Sequence, residues 1–567
     1  MWILCHFGIW NLLTKVHLDF THLIYVCIRS NFVKIFDTMT RPNFLLVITD
    51  QQRADHVGCY GNKIVNTPNI DRIAAHGTRF DRFYVSNPIC SPNRATLMTG
   101  RLPSAHGVRC NGAPLPLAAR TFVECLAENG YRTALIGKSH LQHMTGGLPE
   151  WMPSEDDFLV DENGIPLEAI RHDLGGPNYE SENSQNWVND PDHDVSLPYY
   201  GFDHTEICTM HADRTGGSYL RWIEERCPDH QSFRGSNNAL PDNRISTPQA
   251  WRTAMPEELY STAYVGTRTV DYLENHAANH ADQPFFIQCS FPDPHHPFTP
   301  PGKYWDMYDP DKIPLPDWFD AGDSPITQHL KSELEKGTAI RNGQLPYAVT
   351  RREAQEAIAL TYGMITMIDD YLGTILTTMD QLGLAENTII IFTSDHGDYM
   401  GDHGLMLKGP IHLHGMLRVP FIWADPSAKT PTEVPSLAST VDIARTILQR
   451  TDIKPYYGIQ GHSLMDALDD SGSYKRDAIL IEDDRERVYL GLTQPQRVRT
   501  MVTDRYRFTK YQPLGISELY DLEEDPGETR NLWDEPRSEN IRTKLTSLML
   551  DLLIEYQDKT PLMPKQA

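Results

Sequence analysis

The sequence predicts an α/β protein: a large mixed, mostly parallel sheet sandwiched between helices, followed by a smaller C-terminal α+β subdomain. Three observations carry this. Short apolar, β-branched runs (NFLLVIT at 43–49, PFFIQC at 284–289, TIIIFT at 388–393) read as strands buried on both faces. Stretches with helical spacing separate them, and that alternation makes a parallel sheet with helices on its faces. Beyond residue 470 the pattern changes to short strand-like pieces and one terminal helix at 541–556.

Each element has its own signal. The first strand ends at Asp50. Residues 69–76 and 95–98 read as short helices, the second after a Pro-containing loop. Residues 121–129 form a helix stopped by Gly130, and 131–136 a strand followed by Gly137. Helical spacing covers 256–276 ahead of the strand at 284–289. A long amphipathic helix at 351–382 ends at Gly383, and strands at 388–393 and 419–423 follow. Residues 145–255, rich in Asp, Asn, Pro, Ser and Trp, read as an elaborated insertion over one end of the sheet. Residues 310–350 read as a second loop-rich excursion. The expected division is a main domain at 39–470 and a subdomain at 471–567.

Residues 1–38 are unlike the rest. Their start, MWILCHFGIWNLL, is apolar, but it lacks the preceding basic region and the small-residue cleavage site of a secretory signal. Met39 is read as the natural start, with 1–38 a non-native or disordered extension. A poor signal or surface anchor is the alternative.

Composition narrows the function classes. With 40% hydrophobic residues, 567 residues can bury a large core. The 51 Lys and Arg against 76 Asp and Glu give a net charge of −25, which argues against nucleic-acid binding. It leaves room for a local cationic pocket that takes a small anion. No window of about 20 apolar residues follows the first forty, so no membrane span is expected. Nine scattered cysteines, an odd count without a CxxC pair, point to free thiols, and with the poor signal to a cytoplasmic location, a periplasmic or secreted one being the alternative. Homo-oligomerisation is left open.

In open α/β sheets, chemistry sits at the carboxyl ends of strands. Asp50 follows one strand, Asp395 and His396 a second, Lys138 and His140 a third, and His295 and His296 a fourth. Asp50 and Asp395 offer hard oxygens, Gln51 a carbonyl oxygen and His396 a nitrogen. That mixed set suits Ca²⁺, with Mn²⁺ as the alternative, better than a structural zinc. Taken singly, each has a plainer role, such as a capping Asp, a solvated Lys or a hydrogen-bonded His.

Residues 90–100 shift the weighing. Cys90-Ser91-Pro92-Asn93-Arg94 followed by Ala95-Thr96-Leu97-Met98-Thr99-Gly100 resembles the modification motif of the sulfatase family, within the alkaline phosphatase superfamily. Other segments resemble that family in sequence order: 43–50, 130–140, Pro294-His295-His296-Pro297, Ser394-Asp395-His396-Gly397-Asp398, Lys408-Gly409 and Glu518-Leu519-Tyr520-Asp521. The resemblance runs from about residue 41 to 550, is patchy in 145–255 and is absent from 1–38.

The resemblance implies an alkaline-phosphatase-like fold and hydrolysis of small anionic sulfate monoesters to an alcohol and sulfate. It implies that a formylglycine-generating enzyme converts Cys90 to formylglycine, whose hydrate attacks sulfur. It implies one divalent metal on Asp50, Gln51, Cys90, Asp395 and His396. Lys138 and Lys408 would face the sulfuryl oxygens, and Arg94 would steady the hydrate. His295 would protonate the leaving alcohol, with His296 as the alternative, and His140 would take the proton that releases sulfate. Asp402 and His403 read as a structural loop; Asn111 suits substrate contact or a turn. The Asp50-Gln51 and Asp395-His396 pairs also look like those of phosphonate monoester hydrolases and choline-sulfatase-like enzymes, whereas Lys138 and His140 favour sulfate esters. A third reading is a non-catalytic anion-binding protein in which Cys90 stays a thiol.

Overall fold

The computed structural model describes residues 41–565, apart from 148–158, 162–166, 170–173, 429–431, 471, 486–491, 493 and 564. The expected extension at 1–38 lies outside the described residues. All seven side chains of strand β1 (Asn43–Thr49) are buried. Successive side chains of a strand point to opposite faces, so β1 feeds two cores. Phe44, Leu46 and Ile48 pack with Phe122, Leu126 and Phe286 on one side. Leu45 and Val47 pack with Tyr264, Val265, Ile368 and Leu372 on the other. Those last four belong to the helices Ser261–Asn279 and Arg351–Gln381. Each such apolar side chain contributes about 1.5–3 kcal/mol on burial.

The remaining strands, in chain order, are β2 (Thr78–Tyr84), β3 (Arg132–Lys138), β4 (His204–Thr209), β5 (Gly216–Gly217), β6 (Phe285–Ser290), β7 (Tyr347–Ala348), β8 (Thr388–Ser394), β9 (Leu405–Met406), β10 (Phe421–Ala424), β11 (Thr432–Ser439), β12 (Ala478–Asp484), β13 (Arg497–Thr503), β14 (Tyr506–Gln512) and β15 (Ser517–Asp521). Nine form the main sheet in the order β11-β2-β10-β8-β1-β6-β3-β4-β5. β1 pairs in parallel with both β6 and β8, and β3 in parallel with β6 and β4. β10 and β5 run antiparallel to their neighbours, so the sheet is mixed but mostly parallel. β12–β15 form a separate four-stranded antiparallel sheet, and β7 pairs with β9. The helix Glu539–Glu555 closes the chain. The described residues from Asn43 onward pack as one unit that carries both sheets.

The expected fold class stands, and the differences lie in extents. The third strand runs to Lys138, which is therefore its last residue. The short helix expected at 95–98 starts at Cys90. Residues 145–255 do more than cover an end of the sheet: they supply β4, β5 and the helix Ser218–Arg226. The excursion at 310–350 includes the helix Pro325–Lys336, capped by Ser324 and stopped by Gly337 at φ 69°. No helix among the described residues is long and apolar enough to cross a membrane. The seven described cysteines are free.

Candidate active site

The carboxyl ends of β1, β3, β6 and β8 meet at one buried cluster. Asp50 follows β1 and is fully buried, and its backbone N–H donates to Asp293 O at 3.1 Å. Gln51 then turns left-handed, at φ 67°, and its N–H donates to Asp395 Oδ1 at 3.1 Å. Asp395 is tied back to β1 by its own N–H, 3.1 Å from Thr49 O. Cys90 opens the helix Cys90–Thr99, whose ten residues are all buried. Its thiol therefore sits at the positive end of a helix dipole. Asn93 locks that helix in place: Oδ1 accepts from the Ser86 and Asn87 N–H groups, and Nδ2 donates to Asp395 O at 2.6 Å.

Arg94 extends across the cluster floor. Its Nε donates to Asp395 Oδ2 at 2.7 Å, and its Nη1 to Lys138 O and Ser290 Oγ, both at 2.9 Å. Its Nη2 is buried with no hydrogen-bond partner, 3.8 Å from Asp50 Oδ2. A planar guanidinium has five donors, and this one keeps a donor aimed into the cluster.

Ligand atoms of Asp50, Cys90, Asp395 and His396 lie within 4.8 Å of one another, all buried. His396 Nδ1–H donates to Gly397 O at 2.8 Å, which leaves the Nε2 lone pair facing Asp50 Oδ1 at 3.4 Å and Asp395 Oδ1 at 3.6 Å. That is the tautomer a metal-ligating imidazole needs. Gln51 is held by Asp398, whose Oδ2 accepts from Nε2 at 2.5 Å, and this turns Oε1 toward Lys408 Nζ at 3.1 Å. Two buried carboxylates, an imidazole lone pair and an amide oxygen make a donor set that fits a hard divalent cation.

The opposite side is cationic. Lys138 Nζ is ion-paired with Asp50 and lies 2.7 Å from His211 Nε2. Lys408 Nζ lies 3.1 Å from Cys90 Sγ, 3.1 Å from His396 Nε2 and 2.8 Å from His295 Nε2. Burial raises the Cys90 thiol, as does Asp50, but Lys138, Lys408 and His396 together pull it well below its usual value. Burial also works to raise Asp50, and Lys138, His295 and His211 hold it well below the usual carboxylate range. His295 Nδ1–H donates to His296 O at 2.5 Å, so Nε2 is the nitrogen that faces the site. His140 is left-handed at φ 59°. Burial and Lys138 push its imidazole down to about 3, and its Nδ1 is buried without a partner.

Comparison with known proteins decides the family. The sulfatase family model matches residues 42–453, and a model for the C-terminal part of N-sulphoglucosamine sulphohydrolase matches 401–555. The chain belongs to the sulfatase family. An arylsulfatase of Clostridium perfringens is 28% identical, covering 92% of this chain and 95% of that protein. An uncharacterized sulfatase of Escherichia coli is 29% identical, covering 92% and 88%. The phosphonate monoester hydrolase of Agrobacterium radiobacter superposes with a TM-score of 0.70 at 25% identity, covering 92% and 97%. Like its sulfatase relatives, this chain is a sulfuric ester hydrolase of alkaline-phosphatase-like fold.

In this sulfatase the cluster gathers Asp50, Gln51, Cys90, Arg94, Lys138, His295, Asp395, His396 and Lys408, with His140 two residues past Lys138 at the end of β3. Asn111 Oδ1 accepts the Ser91 N–H at 3.1 Å and so braces the Cys90 turn. Asp402 bonds Arg53 and Trp318, both at 2.7 Å, and His403 bonds Gly527 O at 2.9 Å, as expected for a structural loop. Sequence reasoning missed three residues. His211 and Glu182 come from the weakly periodic insertion, where the strand ending at Thr209, HTEICT, is too polar to announce a strand end. Asp398 stood inside a recognised segment, but its bond to Gln51 depends on the fold.

Proposed function

We propose that this sulfatase uses one divalent cation and a formylglycine made from Cys90 to cleave small sulfate monoesters to an alcohol and sulfate. The observation that carries this reading is the position of the Cys90 thiol, 3.0 Å from His396 Nε2 and 3.1 Å from Lys408 Nζ, at the start of a buried helix. Asp50, Gln51, Asp395 and His396, with the side chain at position 90, would hold the cation. It would draw charge from a sulfate oxygen and lower the pKa of an adjacent hydroxyl. Matured to formylglycine, position 90 would supply a hydrated aldehyde as the nucleophile toward sulfur.

The chain's own residues do the rest. Lys138 and Lys408 neutralise the sulfuryl oxygens in a water-poor pocket, where charge-assisted contacts weigh most. Arg94 offers its unpartnered Nη2 to the nucleophile side. His295 would protonate the departing alcohol oxygen through Nε2 in its imidazolium form, the His296 carbonyl holding Nδ1–H and Lys408 having turned from Nε2 to the sulfuryl oxygens. His140, neutral near pH 7, receives the proton given up when sulfate leaves.

The test is mass spectrometry of the tryptic peptide containing Cys90, from protein matured by a formylglycine-generating enzyme, beside assays on sulfate and phosphonate esters. Formylglycine lowers the peptide mass by about 18 Da relative to the thiol. An unshifted peptide in active protein overturns the nucleophile assignment. The Asp50-Gln51 and Asp395-His396 pairs, with the likeness to a phosphonate monoester hydrolase, support a second reading in which phosphonate monoesters are cleaved at the same site. Faster turnover of phosphonates than of any sulfate ester would favour it.

A further inference from the structure

We infer that His211 is a leaving-group residue, whose Nδ1–H donates a hydrogen bond to the oxygen of the departing alcohol and so suits the enzyme to esters of poorly acidic alcohols. The inference rests on the sulfate-ester reading above. It begins with placement. His211 stands just past β4, between Met210 at φ 60° and Ala212 at φ 55°. Two left-handed non-glycine residues flanking one histidine are a sparsely populated arrangement, which surrounding contacts must hold. The contacts are specific. The His211 ring stacks on His295 with centroids 3.6 Å apart and planes within 7°. Its Nε2 lies 2.7 Å from Lys138 Nζ and 3.5 Å from Asp50 Oδ2.

The shorter contact, to Lys138 Nζ, sets the tautomer over the longer approach to Asp50 Oδ2. A lysine ammonium only donates, so Nε2 accepts and Nδ1 carries the hydrogen. No protein acceptor for that Nδ1–H is found among the described residues. Exposure gives the direction. The side chains of Asp50 and Lys138 are 0% exposed and His295 is fully buried, whereas the His211 side chain is 12% exposed. The sulfuryl group belongs on the buried side with Lys138, so the alcohol lies on the side where His211 reaches solvent. The step moves no proton through His211. The S–O bond to the alcohol breaks, its electron pair goes to the alcohol oxygen, and the proton that oxygen gains comes from the imidazolium form of His295, which is left neutral. His211 stabilises the charge while it builds.

Such a bond matters in proportion to that charge, so its effect depends on the leaving group. The matured enzyme and three variants are assayed on sulfate esters from p-nitrophenol through phenol to a simple sugar alcohol. His211→Ala should lower kcat/KM on the order of 10- to 100-fold for the sugar ester. It should change the p-nitrophenyl ester by less than about 3-fold, so that the dependence on leaving-group pKa steepens. His211→Asn, whose amide N–H overlays Nδ1–H, should keep most of the original dependence. His211→Gln, which reaches only the Nε2 position, should behave like Ala. An equal loss for every ester in the Ala variant, with the dependence unchanged, overturns the proposal and leaves His211 a packing residue. The parent enzyme separates the two claims: if it cleaves none of the sulfate esters once matured, the function reading fails regardless of the variants.

Discussion

Glu182 Oε2 accepts the backbone N–H of His140 at 2.7 Å, and Oε1 accepts those of Leu141 and Gln142 at 2.8 and 3.0 Å. Tyr199 adds its hydroxyl at 2.6 Å. Three successive N–H groups thus form an anion-binding nest, and the anion is a fully buried side chain of the same protein. Glu182→Ala leaves these donors without an acceptor, and stability should fall by about 3 kcal/mol. Because the nest sets the left-handed turn of His140, kcat should fall about 10-fold or more even where the variant stays folded. Urea titration and steady-state kinetics check this; full activity would mean that His140 needs no such support.

Cys90→Ala should abolish turnover, by on the order of 10⁴-fold or more, because the proposed nucleophile is lost. The side chain removed is small and sits at a helix start braced by Asn93 and Asn111, so the thermal midpoint should move little. Sulfate-ester hydrolysis at the parent rate in this variant would end the proposed mechanism.

Chelation should inactivate the enzyme, and adding back Ca²⁺ or Mn²⁺ should restore it. Asp50 and Asp395 bring two buried carboxylates together, countered by Lys138 and Arg94. A cation at about 100 times its Kd should therefore add about 2.7 kcal/mol of stability. Differential scanning calorimetry with and without each ion checks this, and Asp395→Asn should blunt the response.

Acid should destabilise the fold through its buried histidines. His106 is pushed down to about 3 by burial and by Arg101. Its Nδ1 accepts the Val108 N–H at 3.1 Å, and its Nε2–H donates to Thr96 Oγ1 at 3.0 Å, so it is held neutral under the Cys90 helix. The unfolded chain takes up this proton near pH 6.5 and the folded one does not until about pH 3. The contribution is complete above pH 6.5 and is lost as pH falls toward 3, at up to about 1.4 kcal/mol per pH unit. His414, pushed down to about 3, and His56, to about 4, act in the same direction. Urea midpoints at pH 7.5 and pH 5 should differ, and the difference should shrink in His106→Asn.

How much of this was legible depends on where the signal lay. β1, β6 and β8 were readable because strands buried on both faces must be apolar throughout. β2 was not, since TRFDRFY intersperses charged, partly buried residues among its apolar ones. The residues gathered around Asp50 and Cys90 could be picked out because each stands in a local motif. Glu182 and His211 were not, because their partners lie 42 and 73 residues away, in segments without periodicity.

The bond between the Gln51 N–H and Asp395 closes a span of 344 residues, and Cys90, beneath it, is 1% exposed. The thiol is therefore sealed only when β8 docks beside β1, after most of the chain exists. Ordering of such distant pairings is slow compared with local helix formation. On the proposed maturation, the enzyme that alters the Cys90 side chain would meet it in that interval, on a nascent or unfolded chain. Anything that speeds closure of the sheet would shorten the time available, and the molecules that close first would be well folded, stable and inert.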